Sequence, residues 1–92
     1  MPIPCIEMLT ARDLDYRVRH SGARGVICRD IQTSKFASVL SLLPVRLSVN
    51  TAGAAGNIGH DWLDCDQHMQ QADHHCPAVD VGINDPVLMY YT

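Results

Sequence analysis

The chain has 92 residues, a formal net charge of −3, 47% apolar residues and 18% charged residues. A chain of this size forms one domain at most and buries only about 60–65% of the surface its unfolded form exposes. The apolar content is too high for a disordered segment, and the acidic balance gives no electrostatic footprint for nucleic acid.

Residues 2–6 carry two prolines, Pro2 and Pro4, around extended-type residues. They predict an edge strand or strand end. Thr10 reads as an N-cap with Asp13 three positions on, and Ala11, Leu14 and Val18 recur at helical spacing. Arg17, Arg19 and His20 fall in the last turn, where positive charge suits the helix dipole, and Gly22 follows as a stop. A helix over 11–20 is expected, its arginines alternating with Asp13 and Asp15 as on a solvated face.

Gly25, Val26, Ile27 and Cys28 make a short apolar run that predicts a buried strand. Phe36, Val39, Leu40 and Leu43 fit the i, i+3, i+4, i+7 template of a second helix, capped by Thr33 or Ser34 and ended by Pro44. Val45, Leu47 and Val49 alternate with Arg46 and Ser48, the pattern of a half-buried strand. Residues 50–59 are rich in Gly, Ala and Asn and read as a loop. Asp61 caps a third expected helix carrying Trp62, Asp66, Met69 and Asp73, with Pro77 beyond its end. Val87, Leu88, Met89, Tyr90 and Tyr91 form a continuous apolar run, as in a strand covered on both faces.

The expected order is β-α-β-α-β-α-β. It implies a partial parallel-sheet α/β domain over residues 1–92, with right-handed crossovers. In such sheets ligands bind beyond the carboxyl ends of the strands. No stretch reaches the ~18 apolar residues of a membrane span, and residues 1–8 do not resemble an export signal. The expectation is a cytoplasmic chain whose four cysteines are reduced thiols.

Three constellations bear on chemistry. Cys65 and His68 are spaced C-x-x-H, and His74, His75 and Cys76 follow, so two thiolates and two imidazoles from Cys65, His68, His74 and Cys76 offer a zinc alternative. Only five residues separate His68 from His74, a cramped return for a second ligand pair. The plainer reading is a solvated helix end, with no metal. Gly53, Gly56 and Gly59 follow a predicted strand, but no Lys-Ser or Lys-Thr closes a phosphate loop, so they read as a surface connection. No G-x-S-x-G elbow singles out a serine. Cys5 and Cys28, on expected strands, read as buried apolar residues. Trp62 reads as a packing residue. Tyr90 and Tyr91, alternating on a strand, would place one ring inward and the other toward a cleft.

Taken together, Pro2, Pro4, Leu9, Thr10, then Asp13, Leu14, Tyr16 and Arg17, then Ser21, Gly22 and Ala23 before a short apolar strand, resemble the AMP-forming acyl-CoA synthetases. The medium-chain and aryl-acid CoA ligases are the group most similar in pattern. The tail from Asp85 and Pro86 through Tyr91 to Thr92 is similar to the strand that enters the family's Ser-Gly-Thr-Thr-Gly phosphate loop, and Trp62-Leu63 fits its linker region. The resemblance implies that the chain is a fragment of the large N-terminal domain of an adenylate-forming ligase. That family joins a carboxylate to CoA through an acyl-adenylate, using ATP, Mg²⁺ and CoA. It maps Thr92 onto the first residue of the ATP phosphate loop and no catalytic residue onto the chain, so no activity is expected of these residues alone. The alternative is a small non-enzymatic module that self-associates, or binds a protein, through an exposed sheet edge or face.

Overall fold

The computed structural model describes residues 1–51 and 61–91. Helix α1 runs Ala11–Ser21. The Asp13 N–H donates to Thr10 Oγ1 at 3.2 Å and the Thr10 N–H donates to Asp13 Oδ2 at 3.1 Å. This reciprocal capping box satisfies two amide donors that a helix start leaves open. At the other end Gly22 adopts φ 70°, and its N–H reaches the Val18 carbonyl at 3.2 Å. That left-handed geometry costs a glycine nothing. Leu14 and Val18, four residues apart, are the buried positions of α1.

Strand β1 (Gly25–Arg29) and strand β2 (Val45–Val49) pair in parallel, with Gly25 opposite Val45 and Ile27 opposite Leu47. Strand β3 (Leu63–Asp64) extends the sheet beside β2, again in parallel, giving the order β1-β2-β3. The coarse expectation of an α/β chain with a parallel sheet therefore holds. The seven-element alternation does not. Among the described residues the order is α1, β1, a 3-10 helix, β2, β3 and α2.

The connection from β1 to β2 is a 3-10 helix, Asp30–Leu42, not an α-helix starting near Thr33. Its composition explains the difference. Ser and Thr recur through it, and Thr33 Oγ1 donates to the Asp30 carbonyl at 3.0 Å, a side-chain bond that competes with α-helical pairing. With about three residues per turn, positions i and i+3 eclipse. Phe36 and Val39, three apart, are its buried positions, whereas Leu42, the next in that row, is exposed and Leu43 just beyond the helix is fully buried.

Helix α2 (Cys65–Gln71) starts later than expected. The Asp64 carboxylate accepts the N–H groups of Asp66 and Gln67 at 3.0 and 3.3 Å, so Asp64, not Asp61, is the cap. Trp62 and Leu63 lie outside the helix, and the helix ends before Asp73.

Two expected strands are absent. Residues 2–6 pair with no strand, and Cys5 and Ile6 are exposed. Pro2 and Pro4 cannot donate to a ladder. Residues 87–91 also pair with no strand, and Val87 and Tyr90 lie in solvent. Their backbone contact is a 3.1 Å bond from the Met89 N–H to the Pro2 carbonyl.

The core consists of Leu14, Val18, Phe36, Val39 and Leu43, with Leu9, Ala23, Val26, Cys28, Leu40 and Trp62 packed against it. It lies on one face of the sheet, between the strands and the pair formed by α1 and the 3-10 helix. Ser38 Oγ donates to Asp15 at 2.6 Å, and Arg19 bridges to Asp15 at 2.8 Å while donating to the Ser38 carbonyl at 3.2 Å. These contacts bind the two helices together. The pleat of β2 is inverted relative to its sequence pattern. Ser48 is fully buried toward the helices, and Val45 is 51% exposed on the opposite face.

Candidate functional site

The carboxyl end of the sheet is where an open parallel sheet presents ligands. Arg29 ends β1, and its Nη1 donates to both oxygens of the Glu7 carboxylate at 3.0 and 2.8 Å. Lys35 Nζ donates to the Glu7 carbonyl at 2.7 Å, so residues around Glu7 are held across the end of β1. Asp30 accepts from Thr51 Oγ1 at 2.8 Å and from the Ile31 N–H at 2.9 Å. The Thr51 hydroxyl, more than any other neighbour, holds the Asp30 carboxyl below its ordinary range.

Both cations at this end thus already have partners. Arg29 is engaged by a carboxylate and Lys35 by a carbonyl, and among the described residues they do not form an open cradle for a triphosphate. Thr92, the residue matched to a phosphate loop, lies outside the described residues, as do Gly53, Gly56 and Gly59.

A second polar cluster sits on the outer surface of α1. His20 Nδ1 and the Tyr91 hydroxyl are 2.7 Å apart, Tyr16 stacks on His20 with ring centroids 5.4 Å apart, and the Arg17 guanidinium lies 5.2 Å from the Tyr91 ring centre. An open groove of about 370 Å³ runs beside Arg12, Asp13, Tyr16, Arg17 and Tyr91. Its cations and carboxylate face solvent, and a cation over an exposed ring contributes about 0.5–1 kcal/mol. Sequence reading misses this cluster, because Tyr91 was expected in a strand. The aromatic and basic positions Tyr16, Arg17 and His20 on one turn of α1 are its only trace in the sequence.

The thiols and imidazoles are not gathered. Cys65 is half-buried, whereas His68, His74, His75 and Cys76 are exposed, and among the described residues no three His, Cys, Asp or Glu side chains come together as a metal set. Helix α2 ends at Gln71, so His74 and Cys76 lie beyond it and do not return toward Cys65 and His68. Cys28 packs against the core, and burial first, then the Asp30 charge, pushes its thiol up to about 11. A thiol so protonated is not an activated nucleophile. Cys5, expected to be buried, is exposed, with Arg17 Nη1 3.7 Å from its sulfur. Trp62 is a packing residue, edge-on to Phe36 with centroids 5.9 Å apart.

Among the described residues two polar arrangements stand out: a seal of Glu7, Arg29 and Lys35 at the carboxyl end of β1 and an aromatic clasp of Tyr16, His20 and Tyr91 on α1. No protein-family model, no curated protein and no solved structure matches this chain.

Proposed function

We propose that this chain is part of the adenylate-forming domain of an AMP-forming acyl-CoA synthetase, of the medium-chain or aryl-acid type. One observation carries the reading: among the described residues, the second face of the parallel sheet is apolar and largely exposed. Ile27, Val45 and Leu63 are 66%, 51% and 46% exposed on that face. Parallel sheets occur almost only with both faces covered, so an exposed apolar face supports reading this sheet as one part of a larger domain. The local elements support the same reading. The Asp13-Leu14-x-Tyr16-Arg17 stretch lies in a helix, Ser21 to Ala23 form its exit, and Gly25–Arg29 is a strand, in the order of the resemblance.

ATP, Mg²⁺ and CoA would act in the whole domain. The described residues supply no phosphate-binding group, so none is assigned a catalytic role. The carboxylate would be activated as an acyl-adenylate elsewhere in that domain, and this stretch would supply a parallel layer supporting it. The test is the transcript that encodes the chain, sequenced past the codon for Thr92. An in-frame Ser-Gly-Thr-Thr-Gly-type loop is expected. A continuation without such a loop, or an immediate stop, contradicts a ligase.

The uncovered face also favours a second reading, a non-enzymatic module that associates through its sheet. Under that reading the purified chain forms dimers or larger species in proportion to its concentration. A monodisperse monomer in analytical ultracentrifugation excludes it.

A further inference from the structure

Strand β1 lies at one end of the sheet, and among the described residues no backbone bond reaches its outer edge. The Val45 N–H bonds the Arg24 carbonyl at 3.2 Å, and Gly25 stands opposite Val45. In a parallel ladder of that register Arg24, Val26 and Cys28 turn their backbone groups to β2. The N–H and carbonyl of Gly25 and of Ile27, and the Arg29 N–H, therefore point away from the sheet. Gly25 and Ile27 are both exposed. Arg29 precedes the 3-10 helix as its cap, where its carbonyl takes the first helical bond. The edge thus offers a donor and an acceptor at Gly25, the same at Ile27, and a donor alone at Arg29. Such an edge is a template for another strand.

One segment of the chain has the complementary order. Pro77 offers a carbonyl and no N–H, and Val79 and Val81 follow at alternate positions, the pattern of a strand. Residues 77–82 join no strand among the described residues, and Val79 and Val81 are 82% and 73% exposed. The Gly82 N–H donates to Asp85 Oδ2 at 2.6 Å and the Gly82 carbonyl accepts from the Asp85 N–H at 3.0 Å, so a turn closes the stretch. Laid antiparallel on β1, Val81 meets Gly25, Val79 meets Ile27 and Pro77 meets Arg29. The Arg29 N–H then gains the Pro77 carbonyl, and the donor that Pro77 lacks faces a carbonyl already in use. Val79 continues the aliphatic side of the strand beside Ile27, a β-branched pair of the kind that stabilises adjacent strands, and Val81 takes the space left by Gly25. On the other side Ala78 comes opposite Cys28, and Asp80 falls diagonal to the exposed Arg24.

We propose that the outer edge of β1 pairs with residues 77–81 of a second copy of this chain. Each copy gives its segment to the other, so the contact closes as a two-fold dimer with two identical junctions. Main-chain bonds supply the attraction and the alternate side chains set the register, as in other strand additions. Within one chain the segment stays off its own β1, while Met89 and Tyr91 beyond it are tied to Pro2 and His20. The inference rests on the second reading above, association through the sheet, and names the surface that associates. A failed transcript test leaves it intact.

The test combines analytical ultracentrifugation of the purified chain with isotope-filtered NMR on a mixture of labelled and unlabelled copies. A concentration-dependent dimer is expected, with contacts between Ile27 of one copy and Val79 of the other. Val79→Pro removes a ladder donor from the middle of the junction and should weaken association at least tenfold. Ile27→Lys and Val79→Glu should each weaken it, and the double variant should recover at least part of the loss, because the two positions become an opposite-charge pair. Both side chains are exposed, and unchanged methyl shifts of Leu14 and Val39 report that each variant still folds. A dimer that Val79→Pro leaves unchanged would overturn this proposal and leave the associating module standing. A monomer at every concentration would overturn both. Ile27–Val79 contacts within one chain alone would show that the segment closes its own edge, and would overturn the proposal as well.

Discussion

The imidazole of His20 on α1 and the hydroxyl of Tyr91 lie 2.7 Å apart, 71 positions apart in sequence. Met89 bonds Pro2 nearby, so the last described residues are fastened to the amino-terminal part of the chain at two points. Tyr91→Ala removes the hydrogen bond, the Tyr16 edge contact and the Arg17 contact together. Because none of these groups is buried, global stability should fall by no more than about 0.5–1.5 kcal/mol, the range of one net hydrogen bond. Exchange of the Met89 amide should rise much more than exchange of core amides in α1. Equal protection in the variant and the parent chain would show that the clasp does not hold this segment.

Ser48 is fully buried in the central strand, and among the described residues its Oγ has no hydrogen-bond partner. An unpaired buried hydroxyl carries its desolvation cost without return, about 1–3 kcal/mol. Ser48→Ala removes that group with little change of volume. The urea midpoint should rise, with an unchanged slope, by an amount equivalent to about 1 kcal/mol. A lower midpoint would mean that the hydroxyl is satisfied in solution.

Leu43 and Ile27 separate the two faces of the sheet energetically. Leu43 is fully buried, and Leu43→Ala should cost about 2–5 kcal/mol, enough to unfold much of a chain with so small a core. Ile27→Ala, on the open face, should change stability by less than about 1 kcal/mol, as surface substitutions do. Chemical denaturation of the two variants checks this. Comparable losses would place Ile27 in a core.

Acid sensitivity follows from three carboxylates. Asp13 is held below its ordinary range by the Thr10 amide and hydroxyl, Asp15 by Ser38 and then Arg19, and Asp30 by Thr51. Each is lower in the folded state than in the unfolded one. Each therefore adds stability above the unfolded value near 3.8, and that contribution is lost as pH falls through the folded value. The thermal midpoint should be flat from neutral pH to about 5 and drop below about 4, and Asp15→Asn should flatten part of the drop. A midpoint that rises below pH 4 would contradict the assignment.

Thiol reactivity should follow burial. Cys5 and Cys76 are exposed, and Cys28 is packed on the core with its thiol pushed up to about 11. At pH 8 a maleimide should label Cys5 and Cys76 first and Cys28 last, as read by peptide mass spectrometry. Early labelling of Cys28 would show that β1 opens readily.

Helix α1 was legible because every local signal agreed: the Thr10 cap, Asp13, the Leu14–Val18 spacing and Gly22 all act within one helix. Strand β1 is legible as a short apolar run and β2 as an alternating one, but β1 is expected to be buried, whereas none of its residues is and Ile27 is 66% exposed. The face that β2 buries is not legible. Periodicity tells that two faces differ, not which one meets helices, and here Ser48 points in while Val45 points out. The 3-10 geometry of Asp30–Leu42 escapes the sequence pattern because Phe36, Val39, Leu40 and Leu43 fit the i, i+3, i+4, i+7 template of an α-helix, and the Phe36–Val39 step of three is common to both geometries. The apolar run of residues 87–91 predicts a buried strand, whereas Tyr91 finds its partners on α1. The Glu7–Arg29 and His20–Tyr91 pairs join residues too distant in sequence for any spacing rule to connect.

The family reading is tested most directly by catalysis in the polypeptide translated from the whole reading frame. That polypeptide should exchange pyrophosphate into ATP when given a medium-chain or aromatic carboxylate, whereas residues 1–92 alone should not. Absence of exchange from the whole polypeptide with every acid of these classes, or exchange by residues 1–92 alone, would contradict the account.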